Sequence, residues 1–431
     1  MERRTFLKIL SSAGIVSLVS PTFAMEVCKN KVSKSSSALL ESAFRNPPFS
    51  SGVYTWWHWM NGNITKDGIT RDLEAMKANG IAGYQLFEAG SGIPIGPVES
   101  LSDEWIDLIL HTLKESERLG LEFAMHNCPG WSSSGGPWIT PDKAMQIITW
   151  SETKITGGKQ VRIQLPTPKH MFDYYIDTYC LAIPANMKVI PRLSILELSN
   201  RLDKDGGLTW NVPAGEWLIM RFGQTAKDQK NKSAPSKSTG LDCDKFSTEA
   251  LDYHLNCMFK RLMPTMEKIA KHSKIGLLID SYETGDQDWT SDMPAYFEQN
   301  HGYELYPFLP VLANKIVESE ESTKRFLFDF RRARADMFAE RYYGHFQKRC
   351  KEKGIITYTE PYGGNMMEEL QVAQQLDINM GEFWCGQTVL WANYKYNRTV
   401  KQVASIAHTL GGKGVGAEAF TSEPDADKWL Q

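Results

Sequence analysis

Five carboxylate side chains stand at or just past the ends of short apolar runs. Asp280 and Glu283 follow Ile275–Ile279, Glu360 follows Ile355–Thr359, Glu382 lies in Met380-Gly381-Glu382-Phe383-Trp384, and Glu418 lies in Gly416-Ala417-Glu418-Ala419-Phe420. Burying a carboxylate without a partner costs several kcal/mol, about the margin of stability of a whole domain. Such residues need a counter-charge, a metal or a chemical task. Any one of them could be matched by a distant Arg or Lys. Five on one rim are harder to match, because Lys and Arg are scarce in these segments. Two carboxyls flanking one bond are what glycosidic cleavage requires: one protonates the leaving oxygen, the other activates water or attacks the sugar carbon. Glu283 and Glu418 are the candidate pair. Glu382, helped by Asp280, is the candidate holder of a hard divalent cation such as Ca²⁺. The nearby Glu283, Asp286 and Asp288 lack EF-hand spacing and read as a solvated loop. Further polar or aromatic candidates for holding a substrate are His58, Asn61, His126, Asn127, Trp131, Asp244, Lys245, Glu360 and Trp384. A histidine such as His58, in an aromatic run, is as often a satisfied core residue.

The elements that would carry these residues recur as strand-then-helix units. Strands are expected at Tyr54–Met60, Gly83–Glu88, Glu122–Cys128, Ile275–Glu283, Ile355–Tyr362, Ile378–Trp384 and Val415–Thr421. Helices are expected from about Thr65 to Gly80, at Ser102–Leu119, Thr248–Lys271, roughly Ser319–Lys353 and Asn397–Leu410. Nearly continuous apolar strands alternating with helices imply a parallel sheet under helices. An open sheet needs polar residues at its switch point, whereas a (β/α)8-type barrel brings every strand's C-terminal end to one mouth. Polar residues at nearly all seven ends favour the barrel. With an eighth strand not seen before Gln431, the barrel is expected to be truncated after the seventh, hence poorly soluble or inactive alone. From about 144 to 239 the pattern turns to short alternating strands, including a hairpin-like Leu208–Phe222 turning at Pro213-Ala214-Gly215. This is an all-β insertion after the third strand. It splits the chain into a first barrel part (47–143), the insertion and its loop (144–239), and a second barrel part (240–431).

The 431 residues carry a formal net charge of −3, which argues against a nucleic-acid partner. Thirteen Trp and 16 Tyr offer rings with a polar handle, suited to a ligand with apolar faces and hydroxyl edges. Seven scattered Cys without a C-x-x-C pair exclude the common structural zinc patterns, and Cys128 and Cys385 read as buried small hydrophobes. Arg3-Arg4 ahead of a short apolar run and Thr22-Phe23-Ala24 read as a twin-arginine-like signal peptide (1–24), followed by a polar leader (25–46). An exported bacterial protein, periplasmic or extracellular and without a stable membrane span, is expected.

Four segments then resemble one family: Thr55–Thr65 (TWWHWMNGNIT), His126–Ile139 (HNCPGWSSSGGPWI), Thr239–Ser247 (TGLDCDKFS) and Ile279–Gly285 (IDSYETG) are similar to glycoside hydrolase family 106, the bacterial α-L-rhamnosidases. The resemblance runs from about Pro47 to Glu423. It implies a barrel enzyme, inverting and calcium-dependent, releasing terminal α-L-rhamnose from plant polysaccharide. By motif, Glu283 and Glu418 match the catalytic pair, Asp280 a site residue and Glu382 a calcium contact. Which glutamate is acid and which is base stays open. Members of the family usually continue with β-rich domains, which would lie on a longer or separate chain. A non-catalytic carbohydrate-binding remnant and a barrel glycosidase for another sugar are the competing readings.

Overall fold

A computed structural model describes residues 34–47, 49–131, 134–384, 390–411 and 414–421. The expected signal peptide, Cys28 and Cys385 lie outside the described residues. The chain divides into two compact units, Met1–Val53 and Tyr54–Gln431. In the first, a helix spans Lys34–Arg45 and leaves Leu39, Leu40 and Phe44 exposed.

The second unit is built on a seven-stranded sheet: β1 (Val53–Met60), β2 (Ile81–Ala89), β3 (Glu122–His126), β4 (Ile275–Ile279), β5 (Ile356–Thr359), β6 (Ile378–Trp384) and β7 (Val415–Thr421), neighbours in that order. The registers of the strands from β2 to β7 are parallel. The sheet curls into a half-barrel. Gln85 on β2 reaches Met380 Sδ on β6 at 3.2 Å although three strands lie between them in the sheet. Outward-facing residues such as Trp57, Trp59, Tyr84, Phe123, Met125, Leu277 and Ile279 join the main core. Inward-facing ones form a smaller cluster of Ala124, Leu278, Tyr358 and Met380 with Trp56 against it. That alternation continues to the strand ends, so Asp280, Glu360, Glu382 and Glu418 all fall on the concave side.

Helix starts follow local chemistry. Thr65 and Ser102 accept the N–H groups of Gly68 and Trp105 as N-caps for Lys66–Ala78 and Asp103–Leu119, and Gly120 closes the latter at φ +66°. The expected helix over Thr248–Lys271 is two helices, Thr248–Phe259 and Met263–Ala270, the second opening with Pro264 in its first turn. The long helix after it runs as Glu320–Met337, a π-helical stretch Phe338–Gly344, and His345–Lys351. The extra residue per turn brings Tyr342 and Tyr343 together into the core.

Between β3 and β4, strands Gln146–Thr156, Glu216–Ala226, Ile176–Pro184 and Leu196–Glu197 make an antiparallel four-stranded sheet outside the curled one. The hairpin expected at Leu208–Phe222 does not form. Gly207–Asn211 pairs instead with Gln160–Gln164, and Glu216–Ala226 joins the other sheet. The turn passes the chain between two sheets because Leu208, Trp210 and Val212 on one side and Ile219, Cys180 and Ala182 on the other bury one another. Among the described residues no helix is long and apolar enough to cross a membrane.

Candidate active site

The parallel registers align the acids. Ile279 is level with Thr359, so Asp280 and Glu360 leave neighbouring strands side by side, and Glu382 is level with Glu418. Asp280, Glu360 and Glu418 each bring a carboxylate oxygen within 4.8 Å of the other two. Tyr362 donates to Glu360 Oε2 at 2.5 Å, while Oε1 is buried with no donor facing it. Trp384 donates its indole N–H to Glu382 Oε1, and Thr421 donates to Glu418 at 2.5 Å. Among the described residues no Lys or Arg lies within ion-pair reach of Asp280, Glu360, Glu382 or Glu418.

The electrostatics follow. Burial, and then the neighbouring carboxylates, hold Asp280 and Glu360 well above the ordinary carboxylate range, and the two carboxyls are in hydrogen-bonding contact. Burial pushes Glu382 up to about 7, with the charges of Glu418 and Glu283 adding and the Trp384 indole opposing. Glu418 is raised by burial and by Glu283, against the Thr421 hydroxyl. Glu283 stands at the rim, 38% exposed, where Trp131 Nε1 and Lys232 Nζ both donate to Oε2 at 3.2 Å. Its charge bears on Asp280, Glu382 and Glu418.

An aromatic wall adjoins this cluster. His126 packs 4.5 Å from the Phe87 ring and 5.3 Å from Trp56, and Trp131 stacks on Phe87 at 5.6 Å and 15°. His58 stacks on Trp56. Burial, then His58, push His126 down to about 3, so it is neutral beside Asp280, whose Oδ2 is 3.9 Å from its Nε2.

The remaining candidates stand elsewhere. Asn61, at φ +50°, donates its amide to Ile93 O at 2.7 Å and shapes the turn after β1. Asn127 is fully buried, bonded to Leu278 O and to Ser134, whose hydroxyl also meets Tyr342. Asp244 is held by Gln287 and Thr290, and Lys245 by Asp242 and Ser134 O, all inside the protein. The polar atoms of Asn127, Asp244 and Lys245 are thus committed to the scaffold, and the structure does not bring these residues to the mouth. The loop after Glu283 is not wholly solvated: Asp288 accepts the Ile148 N–H at 2.9 Å and anchors the β-rich segment.

Sequence reasoning passed over Trp56, Phe87, Tyr362 and Lys232. The first two were readable from the two-residue alternation of β1 and β2. Tyr362 lies two residues past Glu360, beyond the strand. Lys232 carries no local signal. It also passed over Glu88, a buried carboxyl on the outer face of β2, bonded to Ser100 and pushed up by burial to about 7.

The family model for α-L-rhamnosidases matches residues 45–178 and 169–430. The chain belongs to glycoside hydrolase family 106. The fold agrees: a rhamnosidase from Novosphingobium sp. PP1Y superposes with a TM-score of 0.79 at 24% identity, over 89% of this chain and 53% of that one. A protein of Formosa agariphila named "Putative beta-glucuronidase" is 41% identical over 413 residues, 89% of this chain and 35% of that protein. The chain thus spans about a third of the length of this curated relative and about half of the solved rhamnosidase.

Proposed function

We propose that this chain carries the catalytic mouth of an α-L-rhamnosidase that hydrolyses terminal α-L-rhamnosides with inversion. The observation that carries the reading is the gathering of Glu283, just past β4, and Glu418, on β7, around a carboxylate cluster that no cation among the described residues pairs with. One member of the pair protonates the leaving oxygen and the other takes a proton from the attacking water. Water then adds to the anomeric carbon as the glycosidic C–O bond breaks, and the aglycone leaves as an alcohol. The aromatic wall of Trp56, Phe87 and Trp131 offers apolar faces to the sugar. We read the curled sheet as seven strands of a (β/α)8-type barrel with an all-β insertion after the third, and the protein as exported.

Asp280 and Glu360 fit a divalent cation: hard oxygens within 4.8 Å of each other, beside the orphaned buried Oε1 of Glu360, with Glu418 left to the reacting pair. Glu382, engaged by Trp384, is the further ligand proposed. Calcium is the cation proposed, and once bound it supplies a hard centre for sugar hydroxyls. Asp280 and Glu360 would then be held ionised as ligands.

The name of the Formosa relative raises a second reading, a β-glucuronidase. A uronate carboxylate needs a cationic partner, and among the described residues the lysine seen at this mouth, Lys232, already serves Glu283. A panel of aryl glycosides separates the two. The full chain is expected to release the aryl group from the α-L-rhamnoside and to leave the β-D-glucuronide and β-galactoside intact. Preference for the glucuronide, or no turnover of any substrate, overturns the proposal.

A further inference from the structure

The loop that leaves the β-rich segment, residues 227–239, returns across the mouth and is fastened to the ends of three strands. After β2, Gly90 N–H donates to Ser233 O at 2.7 Å. After β3, Trp131 N–H donates to Lys232 O at 3.3 Å, and Asn231 Nδ2 donates to Pro129 O at 3.0 Å. After β4, Lys227 Nζ donates to Asp286 O at 2.5 Å and Gly285 N–H to Gln229 Oε1 at 3.4 Å. Two glycines allow this approach. A Cβ on Gly90 would lie 2.6 Å from Pro235 Cα, and one on Gly130, already at φ +81°, would lie 1.9 Å from Lys232 O. Both clashes are with backbone, so a side chain at either position would displace the loop.

We propose that this loop is a wall of the active site and that Lys232, carried on it, is a positioning residue for Glu283. The inference rests on the reading of Glu283 as one of the two reacting carboxyls. Lys232 Nζ and Trp131 Nε1 converge on the same oxygen, Oε2, at 3.2 Å each. Trp131 is itself held flat against Phe87. Two donors from two loops stop the carboxyl from rotating. They leave Oε1, with Ser281 Oγ at 3.5 Å, as the oxygen that exchanges a proton at the scissile bond. The β-rich segment is therefore a working part of the site through its exit loop.

The test compares Lys232→Met, Lys232→Arg and Glu283→Gln in the full chain, with kcat and KM on an aryl α-L-rhamnoside and thermal melting. Lys232→Met is expected to lower kcat about tenfold or more with KM and melting little changed, since the side chain is half-exposed, and Lys232→Arg to restore most of the loss. Wild-type kcat in Lys232→Met while Glu283→Gln loses turnover overturns the inference and spares the reading of Glu283. Wild-type turnover in Glu283→Gln removes both. A readout free of turnover is the indole N–H resonance of Trp131, assigned with Trp131→Phe. It is expected to shift in both Glu283→Gln and Lys232→Met, and a signal unmoved by Lys232→Met overturns the inference.

Discussion

Asp242 and Lys245 are as deeply buried as Asp280 and Glu360, but they sit under opposite rules. Lys245 has Asp242 Oδ1 and Ser134 O at 3.1 Å and the Tyr342 ring at 5.0 Å. Burial works against its charge, and Asp242 together with Cys243 and Tyr282 outweighs burial and holds the ammonium above its ordinary range. Asp280 and Glu360 face each other and Glu418, with a neutral histidine alongside. Opposite charges in the interior hold elements of the scaffold together. Like charges there raise the cost of folding, and are retained where a proton or a cation is handled. In sequence, Asp244 and Lys245 read as candidates for holding a substrate, and the structure shows both engaged by buried partners instead.

The sharpest way to break this contrast is to neutralise each side. Glu283→Gln and Glu418→Gln are each expected to cost about 10²–10⁴-fold in kcat, with melting unchanged or raised. Wild-type rates in either would remove that residue from the pair. Lys245→Met leaves Asp242 buried without its cation. It should destabilise the protein by about 3–5 kcal/mol in chemical denaturation while the folded fraction keeps its turnover. Near-wild-type stability would show that the ion pair is dispensable.

The mouth also predicts a pH dependence of defined sign. Glu382 rises from an ordinary 4.5 to about 7, and Asp280 and Glu360 rise too. The folded state therefore binds more protons than the unfolded chain over this range. The stability Glu382 contributes is complete below about pH 4 and lost as pH climbs through 7, and Asp280 and Glu360 contribute with the same sign. In a chelator, the melting temperature should fall from pH 5 to pH 8. Calcium should reverse the fall, by about 2.7 kcal/mol at a hundredfold excess over its dissociation constant, and by more at higher pH because the ligands bind deprotonated. Indifference to calcium at pH 8 would remove the cation.

Glu360→Gln is the smallest change. In chelator at pH 7.5 it relieves one buried like charge and should stabilise by about 1 kcal/mol or more. It should also abolish the calcium-induced rise in melting temperature. A destabilised variant that still responds to calcium would place the cation elsewhere.

Much of this was legible from the chain. Strand-helix alternation located all seven strands of the curled sheet to within a few residues, because buried parallel strands are almost uninterrupted apolar runs. The same runs put Asp280, Glu360, Glu382 and Glu418 at or just past strand ends, and the registers of the folded sheet set them on one face. What escaped was set by pairing between distant segments. Leu208–Phe222 looks like a hairpin, but its two halves join different sheets because each has a separate apolar surface to cover. Lys232 meets Glu283 through a loop about fifty positions away, and no local pattern records such a contact. Lys245 and Glu283 look equally polar in sequence. Full burial of Lys245 against Asp242, and a half-exposed rim position for Glu283 beside Lys232, tell them apart.

The proposed mechanism sets two carboxyls from separate strands on one glycosidic bond with a water between them. Proton NMR of the first turnovers of an aryl α-L-rhamnoside by the full chain tests it directly. The β anomer of rhamnose is expected to appear first and the α anomer to grow in later by mutarotation. An initial product in the α configuration, or hydrolysis that persists when both glutamates are replaced, would contradict it.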